Sequence, residues 1–310
     1  MRKTSIILIV LFCILFIYII TIQTIKGCYK RSFRKRVRRL NNLDISSNII
    51  RQRFSGMGIY YINLNKATDR RKDVETFIQQ HKIENIQRIE GVYGKNIKDN
   101  TYTFSDGREI QIKNEYPSSV YNDGQLGCFL SHVVALKTAY ENGDEYAVIL
   151  EDDVDMNLVK VWEDGLMEVI HKAPGNWNII QLFEHFNKRR VDKNEYVSRE
   201  YEQTQGTLSY LIKRDSIIEF LKYLQFLEGN TVYIKKTNSN FPIDWYLYNF
   251  FPPGQVYTTQ TLFIPNNISK RSQIVSHGLG FYMDSLFWFA TDDRYLNASI
   301  HYMDSFNNTM

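Results

Sequence analysis

Three adjacent acidic residues, Glu151-Asp152-Asp153, directly follow the continuously apolar segment Tyr146–Leu150. Such a segment is typical of a central strand covered on both faces, and in open α/β sheets ligands bind just outside the carboxyl ends of the strands. Side chains at i and i+2 of an extended segment point the same way, so Glu151 and Asp153 can converge on one cation while Asp152 turns aside or reaches it through water. Three neighbouring carboxylates repel one another, and a bound cation offsets this repulsion. Hard oxygen ligands favour Mg²⁺ or Mn²⁺ and, through it, a diphosphate; the alternative is an ordinary acidic loop.

Two arginines, Arg70 and Arg71, lie just beyond the apolar run Ile59–Leu64. This run predicts a strand, so both arginines are expected at the same carboxyl edge, where guanidinium groups can fork onto phosphate oxygens. They also stand near a predicted helix N-terminus, where cations oppose the helix dipole. We therefore favour phosphate binding by at least one of them over a solvated helix start.

A third group, Ser131-His132, lies inside an amphipathic pattern over residues 126–140. On physical grounds a histidine there is more often packed or capping than catalytic. Gly127 and Cys128 precede it and are expected to allow close helix packing. Cys128 has no nearby histidine-plus-acid pattern, so a cysteine nucleophile is not expected.

The elements that position these residues alternate between strands and helices. Apolar runs predict strands at residues 59–64, 87–92, 146–150, 177–183 and 207–213. Three-and-four spacing predicts helices at residues 68–81, 126–140, 159–171 and 215–227. Residues 94–123 are expected to form a polar loop with little regular structure, and residues 40–57 a linker. Strands interleaved with helices predict an α/β domain with a mainly parallel sheet.

The N-terminal region predicts a membrane anchor. Ile6–Ile25 is 20 residues long and has no charged residue, which as a helix spans roughly the 30 Å of a bilayer core. A cleaved signal peptide is the alternative, but its apolar region would be shorter. Eight basic residues follow between Lys26 and Arg39. They are expected to form a stem that is either solvated or lies on anionic lipid headgroups. The predicted division is a tail 1–5, a transmembrane anchor 6–25, a basic stem 26–57, an α/β domain 58–265 and a C-terminal extension 266–310 packed on that domain.

Membrane orientation stays open at this point. The basic stem would keep the C-terminal bulk in the cytosol by the positive-inside rule, whereas a lumenal domain needs the opposite topology.

Composition supports a folded protein. The 310-residue chain is 44% hydrophobic and 23% charged, with a net charge of +4, which excludes a disordered chain. Its three cysteines cannot supply the disulfide framework of a small secreted module. Residues 1–39 hold ten basic residues and no acids, so the remainder is net acidic. Nucleic-acid binding is not expected, because the basic residues cluster beside the predicted anchor without a reader motif.

Five ordered motifs resemble glycosyltransferase family 25, which includes lipopolysaccharide and lipooligosaccharide galactosyltransferases and collagen galactosyltransferases. The resemblance covers residues 59–265, about two thirds of the chain. The matching segments are Tyr61–Leu64 with Asp69-Arg70-Arg71, Glu90–Gly94, Gly124–His132 continuing to Ala147–Val154, Gly206–Ile212, and Pro242–Trp245.

The resemblance implies a GT-A-like nucleotide-sugar-binding domain in which Glu151, Asp152 and Asp153 form the metal motif. A divalent cation would neutralise the leaving diphosphate. The resemblance further implies nucleotide-sugar contacts; these are expected from Asn63, Arg70, Arg71, Ser131, His132, Gly206 and Thr207.

Two further roles follow from this chemistry. Deprotonation of an acceptor hydroxyl requires a general base; Asp244 is the candidate, with a helix cap as the alternative, and Glu184 is the second candidate. His277 is a candidate late metal ligand.

The sequence thus predicts a membrane-anchored, Mn²⁺- or Mg²⁺-dependent enzyme that transfers a hexose, galactose or glucose, from a UDP-sugar to a hydroxyl of a glycan, lipooligosaccharide or protein acceptor. The alternatives are a nucleotidyltransferase and a catalytically inactive glycan-binding relative.

Overall fold

A seven-stranded sheet lies at the centre of the computed structural model, which describes residues 43–183, 194–199, 206–237, 242–260 and 262–265. Within these ranges the strands are β1 (Gly58–Asn63), β2 (Ile86–Glu90), β3 (Thr101–Thr103), β4 (Glu109–Asn114), β5 (Tyr146–Glu151), β6 (Val154–Asp155), β7 (Ile179–Gln181), β8 (Val197–Ser198), β9 (Ser209–Lys213), β10 (Thr231–Ile234), β11 (Val256–Thr258) and β12 (Ile264–Pro265). The helices are α1 (Ser47–Phe54), α2 (Thr68–His81), α3 (Asp123–Asn142), α4 (Leu166–Lys172), α5 (Arg214–Tyr223) and α6 (Ile243–Phe250). Short 3₁₀ turns form at Gly94–Asn96, Met156–Val161 and Pro253–Gln255.

The strand order of the large sheet is β2-β1-β5-β9-β7-β11-β8. β1 pairs in parallel with β2 and β5, and β7 pairs in parallel with β11. β9 runs antiparallel to both β5 and β7, and β8 runs antiparallel to β11. The α/β fold is confirmed, and its sheet is mixed because β9 enters the centre in the opposite direction.

Helices cover both faces of this sheet. Alternate residues of β5 face opposite cores, with Ala147 and Ile149 in one and Val148 and Leu150 in the other. All four are fully buried, which explains the unbroken apolar run. The first core also takes buried residues from α3, α5 and α6, and the second from α1, α2 and α4.

The long helix α3 is held at both ends by its own sequence. Asn122 and Gln125 form a reciprocal capping box at the start, with the Asn122 side chain accepting from the Gln125 backbone N–H at 2.9 Å. Gly143 ends the helix in the left-handed region at φ 81°. The predicted helix and its stop are confirmed.

The predicted linker and the predicted polar loop both differ from the structure. Residues 47–54 of the expected linker form α1, whose Ile50 and Phe54 are fully buried; two apolar residues one turn apart are a weak signal among polar neighbours. The expected loop at residues 94–123 contains the β3–β4 hairpin, and β4 pairs with β10 in a second sheet. β4 alternates polar and apolar residues, a two-residue period that indicates a strand.

The predicted helix at residues 159–171 is also wrong in its extent. A 3₁₀ turn ends at Val161, and α4 starts only at Leu166. Gly165 lies immediately before α4 in extended backbone, with φ −77° and ψ 169°, so the helical pattern is interrupted there.

No helix among the described residues is long and apolar enough to cross a membrane. The predicted anchor at residues 6–25 and the extension at 266–310 lie outside those residues, as does most of the basic stem.

Candidate functional site

The candidate site lies at the carboxyl edge of the large sheet. β1 ends there with Asn63 and β5 ends there with Glu151. Because β9 is antiparallel to β5, it begins at the same edge and brings the preceding Thr207 to Glu151. The Thr207 hydroxyl donates to Glu151 Oε1 at 2.6 Å, and the Glu151 N–H donates to the Leu208 carbonyl at 2.9 Å. The structure therefore brings together residues that are 56 positions apart in the chain.

Asp152 is fixed by two donors from the β1–α2 region. Asn63 Nδ2 donates to Asp152 Oδ2 at 2.7 Å, and Arg70 donates to Asp152 Oδ1 at 2.7 Å. Burial raises the pKa of Asp152, while Arg70 and Asn63 act in the opposite direction. Both donors were among the sequence candidates, and together they engage both carboxylate oxygens of Asp152.

The two neighbouring arginines occupy different surroundings. Arg70 reaches the triplet, with its guanidinium also 3.7 Å from Asp153 Oδ2, and its side chain is only 15% exposed. Arg71 instead lies 3.8 Å from Glu75 on the same helix and is 36% exposed. The structure thus places Arg70 at the site and pairs Arg71 along the helix.

Asp153 carries an unsatisfied carboxylate oxygen. Its Oδ1 is buried and has no hydrogen-bond partner among the described residues. Burial, followed by repulsion from Glu151, raises the pKa of Asp153 to about 7, although Arg70 opposes the shift. A buried carboxylate with an unused oxygen is a group that a cation would stabilise in its charged form.

Glu151 contacts a buried histidine on α3. His132 Nε2 lies 3.6 Å from Glu151 Oε1, and His132 Nδ1 is 3.2 Å from the Tyr210 hydroxyl. Burial alone would raise the pKa of Glu151, but the contacts with His132 and Thr207 and the charge of Arg70 together lower it. His132 is 1% exposed, so its ring is enclosed by protein groups, and the acidic motif is one of them.

Cys128 lies one turn before His132 on the same helix and faces the same carboxylate. One ligand atom each from Cys128, His132 and Glu151 lie within 4.8 Å of one another. In the part of the chain that the structure describes, this is the group that meets such a spacing, and the acidic triplet alone does not. The proximity of cysteine, histidine and acid was missed by sequence reasoning, because Glu151 is distant in sequence.

Ser131 has a structural role in these contacts. Its hydroxyl donates to the Gly127 carbonyl at 2.6 Å and accepts from the Val92 N–H at 2.8 Å. It therefore ties α3 to the end of β2. Gly127 has room only for hydrogen, since a Cβ there would lie 2.5 Å from the Val92 carbonyl oxygen, in agreement with the predicted close packing.

Asp244 lies in the first turn of α6 and bonds the chain before β9. Its Oδ2 accepts from the Gly206 N–H at 2.9 Å, and its Oδ1 accepts from the Trp245 N–H at 2.9 Å. Gly206 has φ 91°, in the left-handed region that favours glycine. Gly206 and Asp244 therefore meet. The N-cap residue of α6 is Pro242, so Asp244 lies inside the first turn and does not cap the helix, contrary to the capping alternative.

Arg199 is a buried cation that the sequence reading missed. It is 5% exposed, its guanidinium lies 5.3 Å from the Tyr248 ring centre and 5.6 Å from that of Trp245, and it donates to Asn249 at 3.2 Å. Asp244 acts on it electrostatically. No sequence pattern marks it, because it follows the two-residue strand β8. Glu184 and His277, the other candidate base and metal ligand, lie outside the described residues.

Comparison with known proteins decides the family. Residues 57–244 match the sequence profile of glycosyltransferase family 25, described as an LPS biosynthesis protein. The chain belongs to glycosyltransferase family 25. The resemblance found in the motifs is confirmed, and the matched region contains β1 through α3, the acidic triplet and Asp244.

Three curated relatives are procollagen galactosyltransferases. Procollagen galactosyltransferase 2 of Mus musculus is 27% identical over 173 residues, which is 55% of this chain and 26% of the relative. The protein of the same name from Homo sapiens is 26% identical over 173 residues, with the same coverage of each chain. Procollagen galactosyltransferase 1-B of Xenopus laevis is 27% identical over 128 residues, 40% of this chain and 20% of the relative. The chain thus spans about a quarter or less of the length of these relatives.

Proposed function

We propose that this family 25 member transfers a hexose, galactose or glucose, from a UDP-sugar to a hydroxyl of a glycan, lipooligosaccharide or protein acceptor. The observation that carries the proposal is Arg70 at the acidic triplet: it donates to Asp152 at 2.7 Å and approaches Asp153 at 3.7 Å. A cation and carboxylates at the carboxyl edge of a sheet are arranged for a metal-bound diphosphate. The galactosyltransferase relatives support the choice of a hexose.

The donor-binding chemistry rests on residues of the β1–α2 and β5 ends. Arg70 has further N–H donors beyond the one on Asp152, so it can bind phosphate oxygens without releasing the triplet. Asn63 is 1% exposed, and both of its amide groups are engaged: the nitrogen donates to Asp152 and to the Ala67 carbonyl, and the oxygen accepts from Arg88 at 3.1 Å. In the proposal, Asn63 positions Asp152, and Arg70 contacts the donor.

The residues present fit a divalent metal ion. Asp153 offers a buried oxygen without a partner, and Mg²⁺ sites commonly use one or two carboxylates together with substrate phosphates and waters. We propose that Asp153, with Asp152 or Glu151, would hold Mn²⁺ or Mg²⁺. When bound, such an ion stabilises the negative charge that develops on the leaving diphosphate.

We retain Asp244 as the proposed base for the acceptor hydroxyl. Each of its carboxylate oxygens accepts one backbone hydrogen bond, and each has a further lone pair for a proton. The half-buried ring of Trp245 follows Asp244 directly and would give the acceptor an apolar surface, with the buried Arg199 behind it at 5.6 Å. Glu184 remains the second candidate base and His277 a candidate metal ligand.

The experiment uses the full chain with a panel of UDP-sugars and Mn²⁺, recording release of UDP with and without acceptors. The matched variants are Arg70→Met and Arg71→Met, which remove the same charge from adjacent positions. We expect Arg70→Met to lower kcat/KM about 100-fold or more, as loss of a transition-state charge contact does, and Arg71→Met to change it less than threefold. Equal effects of the two substitutions would contradict the proposed site.

A second pair of variants addresses the metal. Asp153→Asn removes the carboxylate with the unused oxygen, and Asp106→Asn removes an exposed carboxylate paired with Arg108 on the β3–β4 turn. Asp153→Asn is expected to abolish stimulation by Mn²⁺, and Asp106→Asn to leave it intact. Full stimulation in Asp153→Asn would refute the metal assignment.

The same assays separate the alternatives. Release of pyrophosphate in place of UDP would indicate a nucleotidyltransferase. No nucleotide-dependent rise in melting temperature with Mn²⁺ would favour an inactive glycan-binding relative.

We further propose that residues 6–25 anchor the chain in a membrane as a single span. The uncharged 20-residue run and the basic stem after it support this. Protease protection of the C-terminal part in sealed vesicles distinguishes a lumenal from a cytosolic catalytic domain. Release of the chain by a carbonate wash would argue against the anchor.

A further inference from the structure

A cluster of Cys128, His132 and Glu151 lies on the α3 side of the acidic triplet. Cys128 and His132 are four residues apart in α3 and so share one helix face. Glu151 reaches this face from the end of β5. The cluster therefore joins a sulfur, a ring nitrogen and a carboxylate oxygen from two rigid elements.

The spacing of the three ligand atoms suits a small tetrahedral ion. They lie within 4.8 Å of one another, and His132 Nε2 is 3.6 Å from Glu151 Oε1. Bonds of about 2.0–2.3 Å in tetrahedral zinc sites place neighbouring ligand atoms roughly 3.3–3.8 Å apart. The histidine and glutamate already have this separation, and the sulfur needs to approach by about 1 Å or less.

Neighbouring groups orient the ligands. The Tyr210 hydroxyl lies 3.2 Å from His132 Nδ1 and its ring stacks on the imidazole, so Nε2 is the nitrogen that faces Glu151. Thr207 donates to Glu151 Oε1 at 2.6 Å. Hydrogen bonds of this kind commonly fix the histidine tautomer and the carboxylate in metal sites.

The donor set and the local charge select the metal. A thiolate and an imidazole favour Zn²⁺ over Mg²⁺ or Mn²⁺. Burial, followed by the charges of Glu151, Asp244 and Asp153, raises the pKa of the Cys128 thiol well above its usual range, so a bound ion must displace the thiol proton. The same carboxylates attract a dication. Cys128 and Glu151 are only half-buried, so solvent reaches two of the three ligands, and water can supply a fourth.

We propose that Cys128, His132 and Glu151 form a Zn²⁺ site with three protein ligands, distinct in chemistry from the Mn²⁺ or Mg²⁺ site proposed at Asp153. Glu151 is also one of the two candidate partners of Asp153 at that second site, and in the present proposal zinc at the first site withdraws this carboxylate from the second. If the site carries out the proposed function, on which this step rests, zinc inhibits manganese-stimulated transfer.

The binding experiment needs no enzymatic activity. Metal-free full-length protein is titrated with Zn²⁺ against a chromophoric chelator, and with Co²⁺ as a spectroscopic probe for thiolate charge-transfer absorption. We expect one equivalent of Zn²⁺ and a cobalt–thiolate band. Cys128→Ser is expected to weaken zinc binding at least tenfold and remove the band, and Cys28→Ser to change neither.

Two measurements guard against misfolding of the variant. Without metal, Cys128→Ser should melt at the same temperature as the parent, and Zn²⁺ should raise the melting temperature of the parent alone. Binding of Mn²⁺ should be the same in both. Unchanged zinc affinity in a folded Cys128→Ser protein, or a cobalt complex without thiolate absorption, would overturn the site.

The activity experiment tests the inhibition separately. If UDP release is observed, micromolar Zn²⁺ should suppress it in the parent and much less in Cys128→Ser. Equal suppression of both proteins would overturn the inhibitory role, while absence of UDP release would bear on the proposed function and leave the binding result standing.

Discussion

Replacement of Gly127 by alanine tests how closely α3 packs on the end of β2. In a helix interior, Gly→Ala ordinarily stabilises by about 1 kcal/mol through backbone entropy. Here the new Cβ would lie 2.5 Å from the Val92 carbonyl oxygen and 2.8 Å from the Gly94 nitrogen. Both are backbone atoms, so no side chain can rotate aside and the helix itself must move.

The expected sign follows from comparing these two effects. Overpacking of this kind costs about 1–3 kcal/mol, and two backbone contacts place it at the upper end. After subtracting the helix-propensity gain, Gly127→Ala should lose about 2 kcal/mol, which for a domain of this size lowers the melting temperature by about 4–8 °C.

The control is Gly175→Ala, where a Cβ would meet nothing within 4 Å. Surface changes of this kind usually stay within about 0.5 kcal/mol. Both variants are compared with the parent by urea denaturation and thermal melting of the full chain in the same detergent. A Gly127→Ala protein as stable as the parent, or more stable, would refute the close packing of α3.

Two further predictions concern stability. Asn63→Asp replaces the buried amide donor to the acidic triplet with a group of like charge, and should lower the free energy of unfolding by about 3 kcal/mol. The control is Asn65→Asp at an exposed position. Similar urea midpoints for the two variants would contradict this prediction. Burial, followed by nearby cations, lowers the pKa of His81, so the unfolded chain binds the proton more tightly than the folded protein does. The stability that comes from keeping His81 neutral is therefore fully present above about pH 6.5. It is lost as the pH falls from there through the folded pKa. Melting temperatures between pH 7.5 and 5.5 should therefore fall less in His81→Leu than in the parent or in the exposed-site control His171→Gln; parallel curves for all three would show that His81 is not the cause.

Strand ends were readable from the sequence, and partners across the sheet were not. The apolar run before Glu151 predicted a buried strand, and its edge position predicted that Asn63 and Arg70 would lie near the triplet. The contact of Glu151 with His132 depends on how α3 lies across the sheet, which depends on packing at Gly127 and not on local pattern.

Strand direction was the other limit. Helices between strands indicate parallel neighbours, and this holds for β1, β2 and β5. β9 lies between β5 and β7 and is antiparallel to both, a placement that the alternation of strands and helices does not specify. The β3–β4 hairpin had a readable two-residue period, but its short strands lie among turn-forming residues.

The central position of β9 has a consequence for synthesis of the chain. β5 and β7 each pair with β9, so the two halves of the sheet stay separate until residue 213 has left the ribosome. The loop that carries Thr207 to Glu151 closes in the same event, and such long-range pairing is slow compared with helix formation. A nascent chain shorter than this holds Glu151 on an unpaired strand edge, the kind of surface on which aggregation and chaperone binding begin.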